Sequence, residues 1–427
     1  MKKKIAFISE HASPLASLGG VDSGGQNVYV AELAKHLAKR EYQIDIFTRW
    51  DNPALPEVVE WLPNVRVIHV KAGPVNIIPK EELLQYMAEF TQSMLTFIRK
   101  EKSGYDLIHA NFFMSAKVAC DLKAILNIPF VVTFHALGHV RRMYQKEQDK
   151  FPAERLIIEE TAVRKADRIL AECPQDKEDL IKYYHASPDK ISVIPCGFSP
   201  AEFYPINQTL ARVILNLNTK EKIILQLGRM VPRKGVDNVV RALGKLKDYD
   251  QKVRLVVVGG ETDAPDPASC PELARLQDVA RKEGVLDSIT FVGRKNRDVL
   301  KYYYSAADIF ITTPWYEPFG ITPLEAMACG TPVIGSKVGG IKYSVLDNKT
   351  GYLVPPNDPV ALAKKIKQLF ENPLLMKNMK FNSIKRVNSI FTWENIAKMV
   401  DNAYAKIIVP AEPIRIQPQM NKKSKAA

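Results

Sequence analysis

The sequence predicts two α/β domains, each built on a parallel sheet with helices on both faces. The chain has 427 residues, more than one hydrophobic core usually organises. Apolar runs typical of buried strands alternate with segments of helical period, and they do so twice along the chain. In the first half these runs are Ile5–Ile8, Ile44–Phe47, Val65–Val70, Leu107–Ala110, Phe130–Phe134, Ile169–Ala171 and Ile191–Ile194. In the second half they are Ile223–Leu227, Leu255–Val258, Ile289–Val292, Ile309–Ile311 and Pro332–Ile334. We therefore expect doubly wound domains with a ligand cleft between them.

A polar stretch around Pro200–Thr219 separates the two series of strands and is interpreted as a short linker. The first domain then covers residues 1–203 and the second covers residues 204–390. Phe391-Thr392-Trp393-Glu394 opens a predicted helix over residues 391–409. Prolines and lysines after it predict a disordered basic tail over residues 410–427.

The composition indicates a folded protein, because 46% of the residues are hydrophobic. No apolar run reaches the roughly 18 residues of a membrane-spanning helix. The apolar stretch after Met1 is too short for a signal peptide and is interpreted as a first strand. Five widely spaced cysteines without a Cys-x-x-Cys pair favour reduced thiols in a cytoplasmic protein.

The net charge of +13 favours an anionic partner or a generally basic surface. Nucleic acid is disfavoured, because no basic run is interleaved with aromatic residues. Peripheral contact with an anionic membrane surface remains open. The oligomeric state is not indicated by any pattern in the sequence.

The segment Glu317-Pro318-Phe319-Gly320-Ile321-Thr322-Pro323-Leu324-Glu325 carries the most chemical information. It follows a strand and places two carboxylates eight positions apart, one in a loop and one in the first turns of a helix. The backbone N–H groups of Phe319, Gly320 and Ile321 would open that helix and could bind an anion or sugar hydroxyls. Such a pattern suits a ligand that carries both hydroxyls and phosphates.

This string, continued by Ala-Met-Ala-Cys-Gly-Thr-Pro-Val, resembles the Glu-x7-Glu signature of retaining glycosyltransferases of family 4, which have the two-domain GT-B fold. The resemblance covers residues 3–408. It implies that Glu325 accepts hydroxyls of the nucleotide ribose and that Glu317 lies beside the hydroxyls of the donor sugar. It also implies that Arg294 lines the base pocket and that the last helix crosses back to the first domain.

A glycine-rich stretch, Gly19-Gly20-Val21-Asp22-Ser23-Gly24-Gly25-Gln26-Asn27, precedes the first predicted helix. It is either a flexible turn or a loop that lets the backbone approach a phosphate closely. Its spacing disfavours a dinucleotide site and a P-loop. It resembles the corresponding loop of sucrose-phosphate synthases and of the mycothiol-pathway inositol-phosphate transferase. That resemblance implies that the Gly25 N–H contacts the distal phosphate of the donor and that Asn27 faces the acceptor.

Basic residues follow the first strand of the second domain, in Gly228-Arg229-Met230-Val231-Pro232-Arg233-Lys234-Gly235. Arg229 and Lys234 would neutralise a diphosphate at the ligand edge of the sheet. Arg233 is interpreted as a solvated loop residue. His135 follows a first-domain strand, where the family has a histidine that contacts the transferred sugar. His109 is expected to orient the neighbouring loop.

Together these residues predict transfer of a hexosyl group from a UDP- or GDP-linked sugar to a hydroxyl acceptor. Departure of the diphosphate would be stabilised electrostatically, and the departing phosphate would take the acceptor proton during front-face attack with retention. A double displacement is the rival route, although no second nucleophile is evident. No Asp-x-Asp motif is present, so we expect no obligatory metal and no cofactor. A GT-B-fold nucleotide-sugar epimerase and a non-catalytic anion-binding or nucleic-acid-binding protein are the alternative functions.

The acceptor is the least defined part of the predicted site. In the inositol-phosphate transferase the acceptor phosphate is held by a Lys, a Tyr, a Thr and an Arg; Lys80 and Arg155 match the two cations here. Phe112 and Ala136 replace the two hydroxyl donors, which argues against inositol phosphate. The stretch from His135 to Arg141-Arg142 resembles sucrose-phosphate synthases, so a sugar phosphate is a candidate, beside a simple or lipid-linked sugar.

Overall fold

The computed structural model describes residues 2–16, 24–101, 104–246, 249–260 and 262–408. It contains two α/β domains with interleaved strands and helices, as the sequence predicts. The glycine-rich residues 19–23 and the predicted tail from residue 410 lie outside the described residues. Among the described residues, no helix is long and apolar enough to span a bilayer.

The first domain is an eight-stranded sheet with helices on both faces. The strands are β1 (Lys3–Ile8), β2 (Tyr42–Arg49), β3 (Val58–Leu62), β4 (Val65–Val70), β5 (Leu107–Asn111), β6 (Phe130–Thr133), β7 (Arg168–Ala171) and β8 (Ile191–Val193). The helices are α1 (Gly25–Ala38), α2 (Met87–Glu101), α3 (Phe113–Leu126), α4 (Gly138–Gln145), α5 (Glu154–Lys165) and α6 (Pro174–Tyr184). The strand order is β3-β4-β2-β1-β5-β6-β7-β8, and only β3 runs antiparallel to its neighbour. The sequence did not predict β3, because this edge strand is only partly buried and lacks a continuous apolar run.

The second domain is a six-stranded parallel sheet. Its strands are β9 (Lys222–Leu227), β10 (Val253–Val258), β11 (Ile289–Gly293), β12 (Ile309–Thr312), β13 (Val333–Ser336) and β14 (Gly351–Val354). Its helices are α7 (Gln208–Ile214), α8 (Val236–Gly244), α9 (Pro271–Glu283), α10 (Arg297–Ala306), α11 (Thr322–Ala328), α12 (Ile341–Ser344), α13 (Pro359–Phe370) and α14 (Pro373–Ile390). The strand order is β11-β10-β9-β12-β13-β14. The stretch interpreted as a linker contains α7, which Asn207 caps by accepting a bond from the Leu210 N–H.

The last helix, α15 (Trp393–Tyr404), packs against α1 of the first domain. Its Asp401 accepts hydrogen bonds from Arg40 and Tyr42, both in the first domain. The buried Tyr404 hydroxyl lies 2.7 Å from Nδ1 of His109. His109 therefore links α15 to the sheet. Its Nε2 lies 2.9 Å from the Thr133 hydroxyl at the end of β6, and its role in orienting the neighbouring loop stays a prediction.

Strand order fixes where a ligand can bind. In the first sheet β1 lies between β2 and β5, and in the second β9 lies between β10 and β12. In each sheet the chain leaves two neighbouring strands toward opposite faces, β1 and β5 in the first sheet and β9 and β12 in the second. This divergence opens a crevice at the carboxyl ends of the two strands. The loops after these four strands carry most of the expected site residues.

Candidate active site

A cleft of about 380 Å³ lies between the two domains and is lined by loops from both. Every expected site residue except Arg155 lines it: Gly25, Asn27, Lys80, His135, Arg229, Lys234, Arg294, Glu317, Phe319, Gly320, Ile321 and Glu325. The first-domain residues form one wall and the second-domain residues the other. Residues distant in sequence are thus brought together at the edge where parallel sheets bind ligands.

Glu317 stands among cations on the second-domain wall. Its carboxylate pairs with the amine of Lys234 and lies 3.5 Å from Nη1 of Arg233. Arg233 also donates a hydrogen bond to the Tyr316 carbonyl at 3.1 Å. The interpretation of Arg233 as a solvated residue is wrong, since its side chain is only 17% exposed and it lines the cleft.

Burial sets the charge balance of this cluster. It lowers the pKa of the Lys234 amine to about 8, although Glu317 opposes that shift. Burial would raise the pKa of Glu317, but Lys234, Arg233 and Arg229 outweigh it and hold that pKa below its ordinary value. Glu317 is therefore a carboxylate anion surrounded by the cations Lys234, Arg233 and Arg229. This arrangement suits a ligand with both hydroxyls and phosphates.

Two glycines allow the loops of the second domain to approach each other. Gly235, with φ of +66°, passes so close to Thr313 that a Cβ would collide with its carbonyl oxygen. Gly320, with φ of +90°, lies between Glu317 and Ile341 and turns the chain toward α11. Within the described part of the chain, no hydrogen bond uses the N–H groups of Phe319, Gly320 or Ile321. These N–H groups are free to bind a ligand in the cleft.

Glu325 is held by partners that the sequence did not indicate. One of its oxygens accepts a bond from Nη1 of Arg297 at 2.9 Å, and the other accepts from the Tyr304 hydroxyl at 2.8 Å. Arg297 also pairs with Glu202 at 2.6 Å. A carboxylate has about four acceptor positions, so Glu325 retains capacity for ligand hydroxyls.

His135 is fixed at both ring nitrogens. Nδ1 lies 3.0 Å from the buried carboxylate of Glu172, and Nε2 lies 3.2 Å from the side-chain oxygen of Asn111. The ring also meets Tyr29 edge to face at 4.8 Å. His135 has φ of +58°, a backbone conformation that non-glycine residues rarely adopt and that often marks functional sites.

Asn27 holds Gly24, the residue that precedes α1. Asn27 accepts a bond from the Gly24 N–H at 2.9 Å and donates to the Ser13 carbonyl at 2.9 Å. Its side chain therefore ties the start of α1 to Ser13 through both of its polar groups, and its contact with an acceptor stays a prediction. Lys80 begins the short 3-10 helix Lys80–Tyr86 and lies 3.9 Å from Glu81.

The structure contradicts the expected contact between Arg155 and the acceptor phosphate. It has no exposed surface, pairs with the buried Glu159 at 2.8 Å and donates to the Ala136 carbonyl. Its guanidinium lies 4.7–5.0 Å from the rings of Phe112, Phe113 and Phe151. Arg141 reaches the cleft instead, and it pairs with Asp149 at 2.8 Å.

The ranges that the structure describes contain no group of three His, Cys, Asp or Glu residues that could hold a metal ion. All five cysteines are free thiols, and four of them are buried.

Comparison with known proteins agrees with this architecture. Residues 23–202 match the sequence model described as Glycosyltransferase Family 4, and residues 207–386 match the one described as Glycosyl transferases group 1. The D-inositol 3-phosphate glycosyltransferase of Corynebacterium glutamicum is 34% identical over 407 residues, which cover 94% of this chain and 96% of that protein. The chain belongs to glycosyltransferase family 4.

A solved structure of sucrose-phosphate synthase from Thermosynechococcus elongatus shares the GT-B fold with this family 4 enzyme. The TM-score is 0.86 at 36% identity, over 95% of this chain and 99% of that one. HepE from Anabaena, solved with UDP, has a TM-score of 0.73 at 19% identity and shows the same fold. The predicted family and fold are confirmed, and the chain is a glycosyltransferase.

Proposed function

We propose that this glycosyltransferase moves a hexosyl group from a nucleotide-diphosphate sugar to a hydroxyl of a phosphorylated sugar or polyol, with retention of configuration. The observation that carries the proposal is the cationic loop after β9, which meets Glu317 across the switch point of the second sheet and faces His135 across the cleft.

Donor binding follows from the charges of the second-domain wall. Lys234, Arg229 and Arg233 neutralise the diphosphate, and the N–H groups of Phe319 to Ile321 bind its oxygens or the sugar. Glu325 accepts the ribose hydroxyls, in a position fixed by Arg297. Arg294, paired with Asp263 at 3.2 Å, lies near the base. Uridine- and guanosine-linked hexoses are the first donors to test.

In the reaction, the bond between the anomeric carbon and the diphosphate oxygen breaks while the acceptor oxygen attacks from the same face. The acceptor hydroxyl proton passes to the departing phosphate. Lys234, Arg229 and the loop N–H groups stabilise the negative charge that develops on the diphosphate, a contribution of about 3–4 kcal/mol per preorganised donor. Cations of the protein fulfil the role that a metal ion often has, so we propose no obligatory metal.

The acceptor side combines cations with a hydrophobic surface. Lys80 and Arg141 line the first-domain wall, together with Phe112 and Ala136. The names of both relatives refer to phosphorylated compounds, an inositol phosphate and sucrose phosphate. We infer that Lys80 and Arg141 bind the acceptor phosphate. Phe112 and Ala136, which offer no hydroxyl, disfavour inositol phosphate itself.

We place this activity in the cytoplasm, with peripheral contact at the inner membrane surface. Free, mostly buried thiols support a reducing compartment. The helices α13 and α14 carry lysines and one arginine but no acidic residue, and they expose Leu374 and Phe381. Such a basic surface with exposed apolar side chains suits an anionic bilayer.

The experiment is a matrix of nucleotide sugars and acceptors in which release of the nucleoside diphosphate is measured. Release is expected to depend on one donor and to increase with a phosphorylated acceptor. Lys234→Ala should remove most of it, and Lys245→Ala, in the surface turn after α8, serves as the control. Release that no acceptor increases, for any donor, contradicts the proposal.

A further inference from the structure

A stacked pair of tyrosines joins the two domains beside the cleft. Tyr144 lies on α4 of the first domain, and Tyr316 lies in the second-domain loop after β12, directly before Glu317. The ring centroids are 5.3 Å apart and the ring planes are inclined by 19°, as in a stacked aromatic pair. Tyr316 is buried and lines the cleft, whereas Tyr144 is 47% exposed and lies outside the residues that line it. The first domain thus contacts the Glu317 segment from outside the cleft.

The backbone around Tyr316 is tied to the cationic loop after β9. The Tyr316 carbonyl accepts a hydrogen bond from Nη1 of Arg233 at 3.1 Å, and the N–H of Trp315 donates to the Arg233 carbonyl at 3.2 Å. The next residue, Glu317, pairs with Lys234. A contact that supports the Tyr316 ring therefore also supports the position of Glu317 and of the cations beside it.

Helix α4 is lightly packed in the first domain. Of its eight residues, all of which the structure describes, Gly138 alone is buried, and Met143 and Tyr144 are each about half exposed. A helix that buries so little surface opens locally at a low cost in free energy. Arg141, which lines the cleft, is three positions before Tyr144 and lies on the same side of the helix. A phosphate bound to Arg141 and the stack on Tyr316 would therefore stabilise the same helix.

Two further contacts between the domains lie near this loop but begin elsewhere in the first domain. Sγ of Cys173 lies 3.7 Å from the Pro318 carbonyl, and Nζ of Lys342 lies 2.7 Å from Oε1 of Gln175. Both involve the start of α6, where no residue of the expected acceptor site lies. Of these three contacts, the stack made by Tyr144 is the one that begins on a helix of the acceptor wall.

We propose that Tyr144 is a positioning residue that couples acceptor binding to the donor site. An acceptor phosphate on Arg141 orders α4, the stack then holds Tyr316, and Tyr316 holds Glu317 and the cationic loop in place for transfer. A ligand that orders a segment lowers the cost of binding for a second ligand that needs the same order, so the effect is mutual. The inference rests on the proposed function and deepens it, since it names the residue through which the acceptor site acts on the donor site.

Steady-state kinetics of Tyr144→Ala and Tyr144→Phe test this role. The donor and the phosphorylated acceptor are those selected in the matrix above, with the 6-phosphates of glucose, fructose and mannose tried first. Tyr144→Ala should lower kcat/KM for the acceptor about three- to tenfold, the range expected for one stacked aromatic pair. Hydrolysis of the donor without acceptor should not change, because no phosphate orders α4 in that reaction.

Two variants of α4 serve as controls. Tyr144→Phe keeps the stacked ring and should behave as the wild type. Met143→Ala removes the neighbouring side chain, which is similarly exposed at 48%, and should also behave as the wild type.

Isothermal titration calorimetry separates this coupling from a direct effect on the acceptor site. The acceptor is titrated into the free enzyme and into enzyme saturated with the nucleoside diphosphate of the donor. In the wild type the nucleoside diphosphate should tighten acceptor binding. In Tyr144→Ala this gain should shrink about three- to tenfold, while acceptor binding to the free enzyme stays as in the wild type.

The inference is overturned if Tyr144→Ala keeps the wild-type coupling, or if it weakens acceptor binding to the free enzyme by the same factor. It is also overturned if Tyr144→Phe loses as much as Tyr144→Ala, since the stacked ring would then not be the contact that matters. The proposed function fails separately: it is refuted if the wild type transfers to none of the acceptors of the matrix, whereas a failure of the coupling leaves transfer intact.

Discussion

Replacement of Arg155 by methionine should destabilise the first domain rather than alter acceptor binding. Methionine keeps the apolar length of the side chain but leaves the Glu159 carboxylate buried without its cation. Breaking a buried ion pair from one side costs about 3–5 kcal/mol. At about 2–4 °C per kcal/mol for a domain of this size, the unfolding temperature should fall by about 6–20 °C.

The chain supplies a matched control for this measurement. Lys117 and Asp121 on α3 have the same four-residue spacing and a similar separation of 2.9 Å, but both are partly exposed. Lys117→Met should therefore change the free energy of unfolding by less than about 0.5 kcal/mol. Thermal unfolding followed by circular dichroism compares the variants. The reasoning is refuted if Arg155→Met melts as Lys117→Met does and instead raises the KM of a phosphorylated acceptor.

Three further predictions concern the cleft. In the free enzyme Lys234 loses its charge as the pH rises through about 8, so the donor kcat/KM should fall above that pH. Arginine stays charged in this range, so the fall should be absent in Lys234→Arg. If the pH profiles of the variant and the wild type are identical, Lys234 does not have this role. Glu325→Gln should raise the donor KM about tenfold with little change in kcat, because ribose contacts are similar in the ground and transition states. An unchanged donor KM in steady-state kinetics would exclude Glu325 from the ribose site. Lys80→Ala should raise the KM of a phosphorylated acceptor about tenfold while donor hydrolysis persists; an equal effect on the unphosphorylated acceptor would show that Lys80 binds no phosphate.

That the residues of the second-domain wall line one cleft was largely predictable, because they lie in short segments next to strands. Glu317 and Glu325 belong to one continuous string, and Lys234 follows a strand within a few residues. The place of each segment in the fold then follows from the rule that parallel sheets bind ligands at their carboxyl edge.

The partners of these residues could not be predicted, because they come from distant parts of the chain. Glu172 reaches His135 from the end of β7, and Arg297 reaches Glu325 from α10. Arg155 was misjudged for a related reason: its helix shows little contrast between apolar and polar faces, so the sequence does not reveal that it is buried. Glu159, four residues later, was the one local signal of a structural ion pair.

Isolation of the product tests the proposed reaction directly. The enzyme is incubated with the preferred nucleotide sugar and a phosphorylated acceptor, and the product is analysed by mass spectrometry and proton NMR. We predict an acceptor that has gained one hexosyl group with the anomeric configuration of the donor, formed in equal amount to the nucleoside diphosphate. An inverted product would contradict front-face attack, and free hexose or an epimerised sugar without a glycosylated acceptor would contradict glycosyl transfer itself.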